Sequence, residues 1–203
     1  MSTFMPAHSK QVIDQFCGLC DWLLQTWQMR KYLFDKNPDE AVLREPYHQH
    51  FFYRLQVVLQ ESWLHQLAKL HDPAVQGGST GHINLSIDYI IDYGCWEPAL
   101  KAELVDLRAK MAVLAKPIKD VRNKVLSHND LAVLLESTEL GGFDKGEDDI
   151  YFAHLLDFVS RVREATFGEP FLYDDLVAND VAAFMNSFLR GFYDKRNNPS
   201  GLE

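Results

Sequence analysis

Residues 97–116 read EPALKAELVDLRAKMAVLAK, and their apolar side chains Leu100, Leu104, Leu107, Met111 and Leu114 recur at three- and four-residue steps. Steps of that size lay one apolar stripe along a helix of 3.6 residues per turn, whereas a half-buried strand needs alternation at every second residue. Glu97 and Pro98 suit a first turn, the carboxylate facing the positive end of the helix dipole and the ring presetting φ. Pro117 then either begins a new helix or kinks this one.

The same period extends outward in both directions. Ile13, Phe16, Cys20, Leu23 and Trp27 follow Ser9, a candidate N-cap, so the first helix is expected over 9–34. Asn37-Pro38-Asp39 punctuates, and Phe52, Leu55, Leu59, Trp63, Leu67 and Leu70 define a second helical region over 39–71, interrupted near Pro46 and stopped by Asp72-Pro73. GGSTG, Gly77 to Gly81, reads as a mobile connection before a short helix through Ile87, Ile90 and Ile91. Beyond the central segment, Leu131 to Leu135 suits a helix end or a short strand, and Gly141-Gly142 breaks it. Glu147, Asp148 and Asp149 then open a helix whose buried stripe is Phe152, Leu156, Val159 and Val162, ending before Gly168. A last helix over 175–194 carries Val181, Phe184, Phe188 and Phe192. No alternation is long enough to build a sheet, so the expected architecture is an all-α, up-and-down helical bundle with peripheral helices.

Composition narrows the function classes. The chain has 203 residues, 47% hydrophobic and 12% aromatic, with no linker-like stretch, so it is expected to form a single domain that needs no disulfide or structural metal. Its net charge of −9 argues against coating nucleic acid through a broad basic surface, which depends on many cations releasing counterions, while leaving room for a small basic site. The first residues lack a leader layout, no run of eighteen apolar residues occurs, and three cysteines suit a reducing compartment, so a soluble, cytoplasmic protein without membrane contact is expected.

Chemistry-bearing residues crowd into RNKVLSHND, Arg122 to Asp130. On a helix, Leu114, Ile118, Val121 and Val125 share an apolar stripe, and Arg122 and His128 project from its opposite margins. They differ by roughly 120° in azimuth and about 9 Å along the axis, so they do not converge within one helix. A second copy related by a twofold axis supplies the missing partner, since an isologous interface brings the same element of both subunits together.

RNKVLSHND resembles the signature of the HEPN superfamily, in which an arginine and a polar residue precede a histidine after four to six intervening residues. Here Arg122 and His128 enclose five. Arg-Asn-Lys, then Ser-His and Asp130, looks like the abortive-infection U-type (AbiU-like) branch in particular, and LAKLHDP (Leu67 to Pro73) and INLSI (Ile83 to Ile87) are also similar to it. The resemblance spans roughly residues 10 to 165 and has less support in the last helix. It implies a four- or five-helix core, usually dimeric, whose signature helices meet at a cleft and often form a metal-independent RNA-cleaving site, in toxins or phage-defence effectors that a partner such as an antitoxin restrains.

Such chemistry needs no cofactor. RNA carries its own nucleophile, the 2′-hydroxyl, so cleavage requires a group that moves protons and a cation that stabilises charge on phosphorus. His128 titrates near neutrality and suits the first role; Arg122 offers a permanently charged donor fork for the second. Asn123 would orient a phosphate or cap the partner helix, Lys124 would add charge near the RNA, and Asp130 belongs to the matched string. Asp72 stands in the family-like LHDP string, either ending its helix or lying near the cleft. The same residues also fit a plainer role, with Arg122 and His128 closing a helix contact, Lys124 paired to Asp120 and Asp130 capping the next segment. A catalytically silent module binding RNA, a nucleotide or a protein through the same cleft is the alternative function. Cys17 and Cys20 lie inside the first helix and read as buried packing, and His48, His50, His65 and His71 lack the Glu-x-x-His spacing of a bundle metal site.

Overall fold

The computed structural model describes residues 9–76, 82–121, 143–173 and 176–197, and among them the fold is an all-α helical bundle of seven α-helices. The helices are α1 (Lys10–Arg30), α2 (Glu40–Leu43), α3 (Gln49–Leu70), α4 (Ile87–Tyr93), α5 (Pro98–Val121), α6 (Glu147–Phe167) and α7 (Leu176–Asn197). The only extended structure among the described residues is a two-residue antiparallel pair, β1 (Val75–Gln76) with β2 (His82–Ile83). None of these helices is long and apolar enough to cross a membrane.

Local chemistry sets most of the boundaries. Ser9 caps α1, its hydroxyl accepting the Val12 amide at 3.3 Å, as expected of an N-cap serine. The first helix does not stay α-helical to residue 34. Lys31–Asp35 forms a π-helical turn closed by the Lys36 amide on the Lys31 carbonyl. Arg30 bridges that turn through an ion pair with Asp35 at 2.5 Å. Asn37 stops it twice over, its side-chain nitrogen donating to the Leu33 carbonyl and its oxygen accepting the Asp39 amide. The break at Pro46 separates α2 from α3 as expected. Ser86 caps α4 by accepting the Tyr89 amide, and Gly168 ends α6 at φ 80°, where its amide reaches the Glu164 carbonyl.

Of the two alternatives for Pro117, a new helix starting there is excluded: α5 runs through it from Pro98 to Val121. Proline removes the bond to the Val113 carbonyl, but Val113 is 75% exposed, so water can take that carbonyl, while Met111, Ala115 and Ile118 stay buried on either side of the proline. The buried line of α5 is therefore Leu104, Leu107, Met111, Ala115 and Ile118, and Leu114 is only half-buried at its margin. In α6 the buried residues are Tyr151, Phe152, Leu155, Phe158, Val159 and Val162, with Leu156 half-buried. Hydrophobicity alone does not choose between the neighbours Leu114 and Ala115, or between Leu155 and Leu156; which of each pair is covered depends on the helix packed against that face.

The chain groups into two compact units. The first comprises Met1–Leu24 and Glu61–Leu172. Its core gathers Ile13 and Phe16 from α1, Leu64 and Leu67 from α3, and Ile87 and Ile90 from α4 against the buried lines of α5 and α6. The Phe16 and Phe158 rings meet edge to face at 6.0 Å, and α5 packs most extensively against α6. Cys17 and Cys20 lie inside this core, 3% and 0% exposed, and burial raises both thiols above their ordinary range. Packing is thus the role their position gives them.

The second unit comprises Gln25–Gln60 and Tyr173–Glu203. Leu33, Phe34, Leu43, Phe52, Leu59 and Met185 form its core, with Val181, Phe188 and Leu189 of α7 packed against it. The expected stripe of α7 is thereby shifted by one residue at its centre, since Met185 is buried while Phe184 is 47% exposed. The His48 ring stands edge-on to Phe52, Phe188 and Phe192 and donates from Nε2 to the Val42 carbonyl. It is half-buried and works as an aromatic packing residue beside that core, with one satisfied polar tip.

Candidate functional site

A pocket of about 400 Å³ opens in the first unit, lined by His71, Pro73, Asp88, Arg108, Ala112, Lys116 and Lys119. Its long wall is one face of α5. Positions 108, 112, 116 and 119 follow one another at steps of four, four and three, which stacks their side chains along the helix over about 16 Å. Ala112, the small residue in that row, keeps the middle open. The opposing wall comes from the residues after α3, where the helix gives out at Leu70, and from Asp88 in the first turn of α4.

Polar contacts hold this wall in place. Arg108 Nε donates to the Asp88 carboxylate at 2.9 Å, tying α5 to α4. Lys119 donates from Nζ to the His71 backbone carbonyl at 2.9 Å, one of the carbonyls that the end of α3 leaves without a helical partner. His71 itself is buried, 8% exposed, and its Nε2 is joined to the Tyr151 hydroxyl of α6 at 2.9 Å. Tyr151 is fully buried against Phe143 and Phe152, and Trp63 packs on both of those rings, stacked on Phe143.

Both members of the His71–Tyr151 pair are neutral at pH 7. Burial pushes the His71 imidazole down to about 4, and the Lys119 ammonium adds to the fall, with Arg108 contributing in the same direction against Asp88. Burial raises the Tyr151 phenol well above its ordinary range. The stability consequence has a definite sign. Between about pH 6.5 and pH 4 the unfolded chain binds a proton at His71 that the folded chain refuses, so stability contributed above pH 6.5 is lost as pH falls towards 4. The loss is roughly 3 kcal/mol at full extent, because each tenfold change in proton affinity between the folded and unfolded chain is worth about 1.4 kcal/mol. Urea denaturation from pH 7 to 4 should show the wild type losing this increment relative to His71→Gln. Parallel curves for the two proteins over that range would show that His71 carries no such linkage.

The expected site residues divide in two. Arg122, Asn123, Lys124, His128 and Asp130 lie outside the described residues, as do GGSTG and Leu131 to Gly142. α5 is described as far as Val121, the residue before Arg122 in the sequence. Asp72 is described: it follows the last turn of α3, its amide donates to the Lys69 carbonyl at 3.1 Å, and it is partly buried. It is absent from the lining of the pocket, unlike its neighbours His71 and Pro73. Arg108, Lys116, Lys119 and Tyr151 belong to none of the sequence motifs. The row of Arg108, Ala112, Lys116 and Lys119 was the available signal, though spacing alone does not say that His71 and Asp88 face it.

Residues 8–185 of the chain match the HEPN AbiU2 family model. No curated protein and no solved structure matches it.

Proposed function

This chain belongs to the HEPN AbiU2 family, and we propose that it is a metal-independent endoribonuclease whose site forms where two copies of Arg122–Asp130 meet in a homodimer. The observation that carries the reading is the string RNKVLSHND, an arginine and a histidine with five residues between them, inside the 8–185 match. In this reading His128 moves the proton of the attacking 2′-hydroxyl or of the leaving 5′-oxygen. Arg122 binds the non-bridging phosphate oxygens and stabilises their charge in the transition state. Asn123 and Lys124 support the phosphate, and Asp130 closes the string behind the histidine. Attack by the 2′-oxygen on phosphorus breaks the bond to the 5′-oxygen, leaving a 2′,3′-cyclic phosphate and a 5′-hydroxyl.

Abortive infection, with the toxin or phage-defence role it implies and an antitoxin as partner, is the setting that the family suggests. The basic wall of α5 supports the reading independently. In a chain of net charge −9, Arg108, Lys116 and Lys119 converge on one pocket of the helix that leads to Arg122 in the sequence. The test uses purified protein in excess EDTA with a mixed-sequence single-stranded RNA. Cleavage should persist and yield cyclic phosphate ends. Cleavage abolished by EDTA and restored by a divalent ion would refute the mechanism.

A further inference from the structure

We infer that the pocket of Arg108, Lys116, Lys119 and His71 is a seat for a phosphodiester of a bound RNA strand, an anion site separate from the Arg122 and His128 pair. The choice of RNA as the source of the phosphate rests on the nuclease reading above. The anion preference rests on the pocket itself.

Charge favours an anion there. Asp88 is the acid in the lining and is already paired with Arg108 at 2.9 Å. Lys116 and Lys119 therefore give the pocket a positive excess, although the chain as a whole carries −9. Such local excess concentrates a polyanion at one place and leaves the remaining surface repelling it.

Preorganisation points the same way. Lys119 is held by its bond to the His71 carbonyl, and an ammonium has three donors, so among the described residues two are left for a ligand. The guanidinium of Arg108 is likewise fixed by Asp88 through Nε, which leaves its terminal nitrogens available to a phosphate oxygen. Lys116, exposed on the same face between them, makes no ion pair among the described residues. Ala112 leaves space in the row, and a volume of about 400 Å³ lies within the range of small-ligand sites. The alternatives fit less well. A divalent cation would meet two ammonium groups and a guanidinium, and an apolar ligand would bury them without partners.

The test measures binding of a labelled 2′-O-methyl RNA oligonucleotide, which has no 2′-hydroxyl to attack and so stays intact, by full-length protein across a salt series. Lys116→Ala should weaken binding about three- to tenfold and lower the magnitude of the slope of log K against log salt by about 0.7, the value of one single-strand phosphate contact. Lys116→Arg should restore both. Lys110→Ala, on another face of α5, should change neither. Unchanged affinity and slope in Lys116→Ala, or an equal loss in Lys110→Ala, would overturn the seat. Displacement of the RNA by polyglutamate at matched charge would show an acidic-peptide site and overturn the RNA assignment. Inorganic phosphate binding that depends on Lys116, with RNA affinity unaffected by the substitution, would do the same in favour of a small phosphate ligand. Wild-type protein that binds RNA in this Lys116-dependent way yet cuts no unmodified RNA would refute the nuclease and leave the seat standing.

Discussion

His128→Ala should lower the rate of RNA cleavage by about 10²- to 10⁴-fold, the contribution usual for a positioned acid or base. Its helix content, measured by circular dichroism, should match the wild type. Loss at that scale follows because alanine leaves nothing at that position to accept the 2′-hydroxyl proton or supply one to the leaving oxygen at neutral pH. Arg122→Ala should cost about 10²- to 10³-fold, as expected when one donor to a developing oxyanion is removed. Arg122→Lys should recover only part of this, since an ammonium keeps the charge but lacks the planar fork that grips two oxygens. A structural role makes the opposite forecast. If the pair merely closed a helix contact, both substitutions would lower the melting temperature and leave the activity of the folded fraction intact.

Tyr151→Ala should destabilise the protein by about 4 kcal/mol, within the range for truncating a large core aromatic. Two losses combine there. The ring is fully buried among Phe143, Phe152 and His71, and its hydroxyl is the partner of His71 Nε2 at 2.9 Å. Tyr151→Phe separates them by keeping the ring and removing the oxygen, and should cost about 1–3 kcal/mol because a buried imidazole nitrogen is left without a partner. Equilibrium urea denaturation at pH 7 reads both. A phenylalanine variant as stable as the wild type would mean that the bond between His71 and α6 contributes nothing. The effect matters for function because the residues after α3 form one wall of the anion pocket, and Tyr151 is what holds His71 in that wall.

Features governed by neighbours along the chain were legible in the sequence. Ser9, Asn37, Pro46 and Gly168 each mark a boundary through a bond or a steric effect within a few residues of themselves, and each stands where that chemistry requires. Features governed by distant neighbours were not. Ala115 replaces Leu114 in the buried line of α5, and Leu155 replaces Leu156 in that of α6, because the helix packed against each face selects what is covered. Pro117 is carried inside α5, where the stripe on both sides of it is buried while Val113, whose carbonyl it leaves without a partner, is an exposed residue.

The candidate site divides along the same line. Arg122 and His128 are legible as residue types at a spacing. The convergence of Lys119 on His71, 48 residues apart, and of His71 on Tyr151, 80 residues apart, depends on packing that no local pattern encodes. His71 illustrates the difference: in the sequence it is one of several histidines, and in the fold it is a neutral core group that anchors a basic wall.

In the proposed dimer, one catalytic site draws its arginine from one copy and its histidine from the other. This sharing is tested most directly by co-expressing Arg122→Ala and His128→Ala chains with different tags, isolating the heterodimer, and measuring its rate of RNA cleavage. A twofold dimer has two such sites, one of which regains an intact Arg122 and an intact His128 in the heterodimer, so the account predicts about half the wild-type rate from two inactive parents. A heterodimer as inactive as either parental homodimer would contradict it.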